Sequence, residues 1–406
     1  MDVDADPASR LRVACYITRG SAGRLELLVF DHVDYPEAGT QIPAGGVEPG
    51  ETYSEAALRE VREETGLEQV EFVRLLGDSD RPHPTTGDSR RTTYLHLRST
   101  GESAKGWRHV VRGRGEDADL HFDCRWEPLP ISLADDQHEL TWRLAEPTDT
   151  RAQDRLDAAI KDALRADERV VAALAYGSRV KGDDDAHSDV EYWIVAKGDW
   201  TVEGLVQNIE PPLSLCLNEY GSQVAIWPGL VRGEFHAIAP DELQLIAKWP
   251  QRGAPVTRMI IKDDSAGRLA HVLNSLPEQV SLPATAASGC ERFANWLVMT
   301  WHVLQRGERE RGRLVLGLAR EALLSMARLR YGATQHWLSQ ETRFEIELPA
   351  HFVARLRRVT DDDLAGLWSV GRKLWLELAD REGFELPDRL MAEIDAAVAT
   401  LVARIE

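Results

Sequence analysis

One short string constrains this chain more than any other: Gly45, five residues, Glu51, seven residues, Arg59-Glu60-Val61, one residue, Glu63-Glu64, one residue, then Gly66-Leu67. Near its start Thr52 and Glu55 have capping-box spacing, and Gly66 supplies a left-handed stop, so a helix is expected between them. On that helix Glu60, Glu63 and Glu64 fall at i, i+3 and i+4 and share one face. Three carboxylates at that spacing repel one another unless a cation joins them. Mg²⁺ takes oxygen ligands and shares them with phosphates, so this face suits a diphosphate and the activation of a water. The opposite face, with Ala57, Leu58 and Val61, is left to pack on a sheet.

The string resembles the Nudix box, matching each of its fixed positions. That resemblance implies an α/β/α sandwich with pyrophosphohydrolase activity. It also implies that Glu60, Glu63 and Glu64 are metal ligands or the water-activating carboxylate, and that Arg59 pairs with Glu51 to orient the helix. The flanking sequence agrees with a sheet: Leu11–Ile17 and Leu25–Phe30 read as paired strands across Gly20–Gly23, and extended runs recur at Thr93–Leu97 and Cys124–Trp126. Arg81, His83, Arg90 and Arg91 lie in a loop that either contacts a ligand or is simply solvated. We place this domain at residues 1–145 and a polar linker at 146–154.

A second constellation follows. After an expected helix over 154–169, the apolar run Val170–Tyr176 reads as a buried strand ending in Gly177-Ser178, and Asp189 and Glu191 sit at i and i+2 of the next strand. Alternation points both carboxylates to one face, where they can share a divalent metal. Gly177 lets the backbone approach a phosphate, Ser178 adds a hydroxyl donor, and Arg179 and Lys181 add positive charge. Gln223–Trp227 and Val231–Ile238 extend the sheet; Asp183–Asp185 read as a solvated loop, and His187 and His236 as structural or exposed. Beyond residue 280 the pattern turns helical, with Phe293, Trp296, Leu297, Trp301 and Leu304 at helical spacing and similar periodicity to the end of the chain. Trp368 and Trp375 have the spacing of core residues.

Gly-Ser followed by Asp-x-Glu resembles the nucleotidyltransferase superfamily. Through Asn218-Glu219-Tyr220-Gly221 and Leu230–His236 the likeness narrows to one class of lincosamide nucleotidyltransferases, over roughly residues 155 to 406. It implies metal-binding roles for Asp189 and Glu191, a general-base role for Glu234 toward a hydroxyl of a small antibiotic-like acceptor, and a homodimer. The expected architecture is α/β and multidomain: a Nudix α/β/α sandwich, a nucleotidyltransferase mixed sheet with helices (155–280), and a C-terminal α-helical bundle (281–406) for acceptor binding and dimerisation.

Composition restricts the partners. A net charge of −19 disfavours nucleic acid, whose binding rests on Lys and Arg neutralising phosphates, while leaving small phosphorylated ligands open. Cys15, Cys124, Cys216 and Cys290 form no Cys-x-x-Cys pair, which argues against a zinc site or a disulfide framework and for a reducing cytoplasm. No run approaches the roughly 18 apolar residues of a membrane span. The sequence therefore points to a Mg²⁺-dependent bifunctional enzyme, transferring a nucleoside monophosphate (AMP from ATP) to a hydroxyl and carrying a Nudix pyrophosphohydrolase domain. The alternative is a metabolic nucleotidyltransferase acting on a sugar or polyol, with the Nudix domain as a nucleotide sensor.

Overall fold

The computed structural model describes residues 10–402, apart from 21–24, 82–86, 88, 113–117, 130, 132, 134–136, 138–139, 142–143, 145–149, 183 and 185–186. His83, Asp183, Asp185 and part of the expected linker lie outside the described residues. Contacts divide the chain into two units: Met1–Glu146 together with Pro283–Glu406, and Pro147–Leu282. The middle of the sequence is thus inserted between two segments that fold together.

The first segment contains β1 (Arg10–Arg19), β2 (Glu26–His32), β3 (Ala44–Gly46), α1 (Tyr53–Thr65), β4 (Val70–Ser79), β5 (Arg90–Ser99), β6 (Gly106–Val110) and β7 (His121–Pro128). The strands form one sheet in the order β4-β5-β1-β2-β7-β6, with β3 also on β1. The two strands expected to pair across Gly20–Gly23 do pair, antiparallel, at Thr18–Leu27 and Arg19–Glu26 among the described residues; the longer partner of β1 is β5, in parallel. The reason is burial on both sides. Val13, Cys15 and Ile17 face α1 and its core, while Ala14 and Tyr16 face a second core with Tyr94, Leu133 and Leu144, so β1 behaves as a central strand.

The inserted unit contains α2 (Thr150–Ala166), β8 (Val170–Ala175), α3 (Ser178–Lys181), β9 (Val190–Ala196), α4 (Val202–Ile209), β10 (Ser214–Leu217), β11 (Gln223–Ile226), β12 (Arg232–Ile238), α5 (Val256–Met259), β13 (Ile260–Asp263) and α6 (Arg268–Ser275). Helix α2 begins inside the stretch expected as linker. The sheet runs β10-β11-β12-β9-β8-β13, with β12 and β9 parallel and the other pairs antiparallel. Short edge strands β10 and β13 extend it beyond the strands expected from sequence.

The first unit is completed by α7 (Ala287–Gln305), α8 (Arg309–Tyr331), α9 (Phe344–Glu347), α10 (Ala350–Arg358), α11 (Leu364–Glu382) and α12 (Asp388–Val402). Trp368 and Trp375 are core residues, with Trp368 stacked on Phe293 at 6.2 Å. Arg328, fully buried, is tied to Glu347 at 2.6 Å and to the carbonyls of Ala333 and Gln340. One apolar cluster runs from the sheet through α1 into these helices. Polar contacts reinforce that junction: Thr52 forms a β-bridge with Pro349, Ala350 N–H donates to the Glu51 carbonyl at 2.8 Å, and Arg357 pairs with Asp78 at 2.6 Å beneath the Tyr53 ring. Among the described residues no helix is long and apolar enough to cross a membrane.

Candidate functional sites

In the first unit, the capping box forms around α1: Glu55 N–H donates to Thr52 Oγ1 at 3.1 Å and Thr52 N–H to Glu55 Oε2 at 2.8 Å. Gly66 ends the helix in the left-handed conformation, φ 73°. This local geometry sets the direction of the helix face that carries the acids. Arg59 lies at the centre of them, with Nε 2.8 Å from Glu51 Oε1, Nη2 2.9 Å from Glu51 Oε2 and 2.8 Å from the Gly46 carbonyl, and Nη1 2.7 Å from Glu60 and 3.3 Å from Glu63. These bonds hold the Glu51 carboxyl below the usual carboxylate range. Burial pushes Glu60 up, against the pull of Arg59. Glu60 also abuts Gly45, where a Cβ would run into its carboxylate, so the first glycine of the string leaves room for an acid. Glu64 is only 6% exposed and accepts from Ala44 N–H at 3.0 Å.

Arg90 and Arg91, expected in a loop, instead open β5, paired with Arg10 and Leu11 of β1, and Arg91 bonds Asp80 at 2.8 Å. Gln137 stands where no sequence signal placed it: its Oε1 accepts from Ile42 N–H at 2.7 Å and pins the loop before β3.

In the second unit, strand register assembles the acids. Glu234 on β12 pairs with Glu191 on β9, so Asp189, Glu191, Arg232 and Glu234 share one face. Gly177, at φ 77°, packs directly on Glu191; a Cβ there would overlap the carboxylate, so the Gly-Ser turn and the acids are fitted to each other. Burial first, and then the charges of Asp189 and Glu234, raise Glu191 to about 7. Glu234 behaves oppositely: burial raises it, but hydrogen bonds from Arg232, Ser222 and Asn218 outweigh burial and hold it below the usual range. Arg232 bridges the cluster, bonding Asp189 with Nη1 and Glu234 with Nη2, the latter at 2.7 Å; Asn218 Nδ2 reaches Glu234 at 3.3 Å. Arg232 had no role in the sequence reading; its place two residues before Glu234 on the same strand face is the signal that could have found it.

Ser178 opens α3 beside Gly177. Arg179 is turned toward acids, with Asp154 at 2.6 Å, Asp157 at 3.7 Å and Asp184 at 3.8 Å. Lys181 is exposed, with its side chain near Gly253 and its charge felt by Glu191.

Among the described residues no three His, Cys, Asp or Glu side chains converge tightly enough to grip an ion as they stand, and in both clusters an arginine occupies the middle. The donor sets nevertheless fit Mg²⁺. Both are all-oxygen, both sit on one face, and the mutual repulsion that raises Glu191 is what a dication relieves.

Comparison with known proteins agrees at the level of domains. Residues 8–160 match the family model described as NUDIX domain, and residues 286–366 match that of the lincosamide nucleotidyltransferase-like C-terminal domain. The RNA pyrophosphohydrolase of Afipia carboxidovorans is 34% identical over 99 residues, covering 22% of this chain and 58% of that protein. The RNA pyrophosphohydrolase of Bradyrhizobium sp. is 34% identical over 110 residues, covering 24% and 64%. The match thus spans less than two thirds of the length of these relatives. Among solved structures, the NUDIX domain of Shewanella oneidensis NrtR complexed with ADP ribose aligns at 19% identity and TM-score 0.27, covering 38% of this chain and 94% of that one. The C. elegans Ap4A hydrolase aligns at 20% identity and TM-score 0.22, covering 37% and 98%. The chain therefore joins a NUDIX domain to a lincosamide nucleotidyltransferase-like C-terminal domain in one polypeptide.

Proposed function

We propose that the chain is a Mg²⁺-dependent bifunctional enzyme: the inserted unit transfers a nucleoside monophosphate, AMP from ATP, to a hydroxyl of a small antibiotic-like acceptor of the lincosamide type, and the NUDIX domain hydrolyses a nucleotide diphosphate linkage. The observation that carries the transferase reading is the register that pairs Glu234 with Glu191 beside Gly177. Asp189 and Glu191 would hold Mg²⁺, which would screen the phosphates and polarise the phosphorus that is attacked. Glu234, held in its charged form by Arg232 and Asn218, accepts the proton of the acceptor hydroxyl as its oxygen bonds to the α-phosphorus; the bond from that phosphorus to the β-phosphate bridge breaks, and pyrophosphate leaves. Arg232 orients Asp189 and Glu234, and Gly177, Ser178, Arg179 and Lys181 line the approach of the triphosphate.

In the NUDIX domain, Arg59 and Glu51 orient α1 and its acids, and Glu63 or Glu64 takes a proton from the attacking water while the phosphoanhydride bond opens. RNA pyrophosphohydrolases among the relatives make a 5′-terminal RNA triphosphate one substrate to test beside free nucleotides. A phosphodiester made by the transferase has no anhydride for the NUDIX domain to cut, so the two activities oppose each other only when the acceptor is itself phosphorylated.

The test is mass spectrometry of the protein with Mg²⁺, each NTP, and a panel of lincosamides, sugars and polyols. A nucleoside-monophosphate adduct on a lincosamide supports the antibiotic reading. An adduct confined to sugars or polyols replaces it with the metabolic one, and no adduct on any acceptor rejects transfer. Sedimentation of the same sample tests the homodimer that the family resemblance implies.

A further inference from the structure

The face that carries the acids of the inserted unit does not end at them. One step farther along β9 and β12, at the same alternation, the register pairs Trp193 with His236 directly behind Glu191 and Glu234. Their rings stack at 4.5 Å with planes 20° apart. Trp249, which follows the short 3₁₀ turn Leu243–Lys248, meets Trp193 edge-on at 5.6 Å. Tyr176, immediately before Gly177, closes the group at 5.7 Å from Trp249 and 6.1 Å from His236.

These rings are not ordinary core. On the opposite face of the same strands Tyr192, Ile194 and Phe235 are all but fully buried, and the packing tryptophans Trp227, Trp368 and Trp375 are 1–3% exposed. Tyr176, Trp193, His236 and Trp249 are each only half-buried, with the tyrosine and the two tryptophans packed against the edge of the unit's core. His236 is held in place: Ser222 Oγ lies 2.8 Å from its Nε2, and Glu234 lies 3.6 Å from the same nitrogen. The Tyr176 hydroxyl is enclosed, so this residue offers its ring and not its polar end. A half-buried group of aromatic rings contiguous with acids suited to hold metal and phosphate has the chemistry of a subsite for the flat face of a ring.

We infer that Tyr176, Trp193, His236 and Trp249 form an aromatic subsite that seats the flat apolar face of a ring carried by one of the two transfer substrates, either the nucleobase of the NTP or a ring of the acceptor. The inference rests on the transferase reading of the adjoining acids and adds the surface that selects the substrate. Trp249 and Trp193 supply the aromatic surface, His236 fixes the tilt of Trp193, and Tyr176 supports Trp249 from behind.

Calorimetry on the full-length protein with Mg²⁺ tests it, using three probes: α,β-methylene-ATP, inorganic tripolyphosphate, which has no ring, and lincomycin. Trp249→Leu removes a face and Trp249→Phe restores one; Trp193→Leu serves as the independent second site, with melting curves recorded for each variant. If the nucleobase is the occupant, both leucine variants weaken α,β-methylene-ATP at least tenfold, leave tripolyphosphate unchanged, and Trp249→Phe recovers most of the loss. If the acceptor is the occupant, lincomycin binding falls at least tenfold and the nucleotide is unaffected. Unchanged affinity for both ring-bearing probes in folded variants overturns the subsite, as does an equal loss for tripolyphosphate. Asp189→Asn separates this from failure of the transferase reading: nucleotide affinity that is indifferent to Asp189→Asn rejects the reading itself, whereas sensitivity to Asp189→Asn with indifference at both tryptophans rejects only the subsite.

Discussion

The two acid clusters of this chain are built on the same plan from different elements. In each, an arginine stands among carboxylates that would otherwise repel. Arg59 projects from a helix, is about four-fifths buried, and is saturated by Glu51, Glu60, Glu63 and the Gly46 carbonyl. Arg232 projects from a strand, is 40% exposed, and among the acids of the described residues bonds Asp189 and Glu234. The helix brings its acids together within one turn, so a single arginine and a glycine turn suffice to set their geometry. The sheet has to bring them together across strands, so its geometry depends on register and on the contact between Gly177 and Glu191. The first arginine is therefore part of the framework, and the second is a more exposed counter-charge between two carboxylates.

The largest effect expected from this contrast comes from Gly177→Ala. A methyl at φ 77° strains the backbone and displaces Glu191, so transfer falls by at least about 10²-fold while NUDIX hydrolysis is unchanged. Parallel assays of both activities check it; a transferase that tolerates the methyl breaks the claim that the turn and the acid are fitted together.

The histidines of the two regions differ next. His96 is buried in the NUDIX sheet, with Nε2 2.8 Å from Thr18 Oγ1, and burial lowers its pKa from 6.5 to about 4. The unfolded chain then binds a proton that the folded one refuses, so the stability that His96 lends is complete above about pH 6.5 and is lost as the pH falls toward 4. On the order of 3 kcal/mol is at stake. Chemical denaturation of wild type and His96→Gln between pH 7.5 and 4 should show the wild type losing stability more steeply; equal slopes contradict the assignment.

The arginines provide the direct comparison. Arg59→Ala is expected to cost about 2 kcal/mol, because three carboxylates and a carbonyl lose a part-buried partner, whereas Arg232→Ala costs under about 1 kcal/mol because its pairs are wetter. Urea titration of both variants checks the order, and a reversed order would undo the distinction between framework and counter-charge. Arg357→Ala should have a similarly small effect, about 1 kcal/mol or less, since it removes one ion pair and one ring contact from a junction that an apolar core also holds.

What could be read from the sequence follows the range of the interactions. The start, stop and acidic face of α1 depend on residues within one helix, Thr52, Glu55, Glu60, Glu64 and Gly66, and they were legible as such. The i, i+2 spacing of Asp189 and Glu191 likewise predicted a shared face. The β1–β2 pairing was legible from alternation across a turn, but the second partner of β1 was not, because alternation shows that a strand exists and not every partner it takes; the both-sided burial of Val13 to Ile17 is the feature that marks a central strand with parallel β5 on its other side. Gln137, Pro349–Ala350 against Glu51–Thr52, and Trp249 beside Trp193 were beyond reach, since each joins residues far apart in the chain through contacts with no local periodicity.

The central claim is that two separate acid clusters run two separate chemistries. The most direct test is to measure hydrolysis of nucleotide diphosphate compounds and nucleotide transfer side by side in Glu64→Gln and Glu234→Gln. The account predicts that Glu64→Gln loses hydrolysis by about 10²–10⁴-fold with transfer intact, and that Glu234→Gln does the reverse. Loss of both activities in either variant would contradict it.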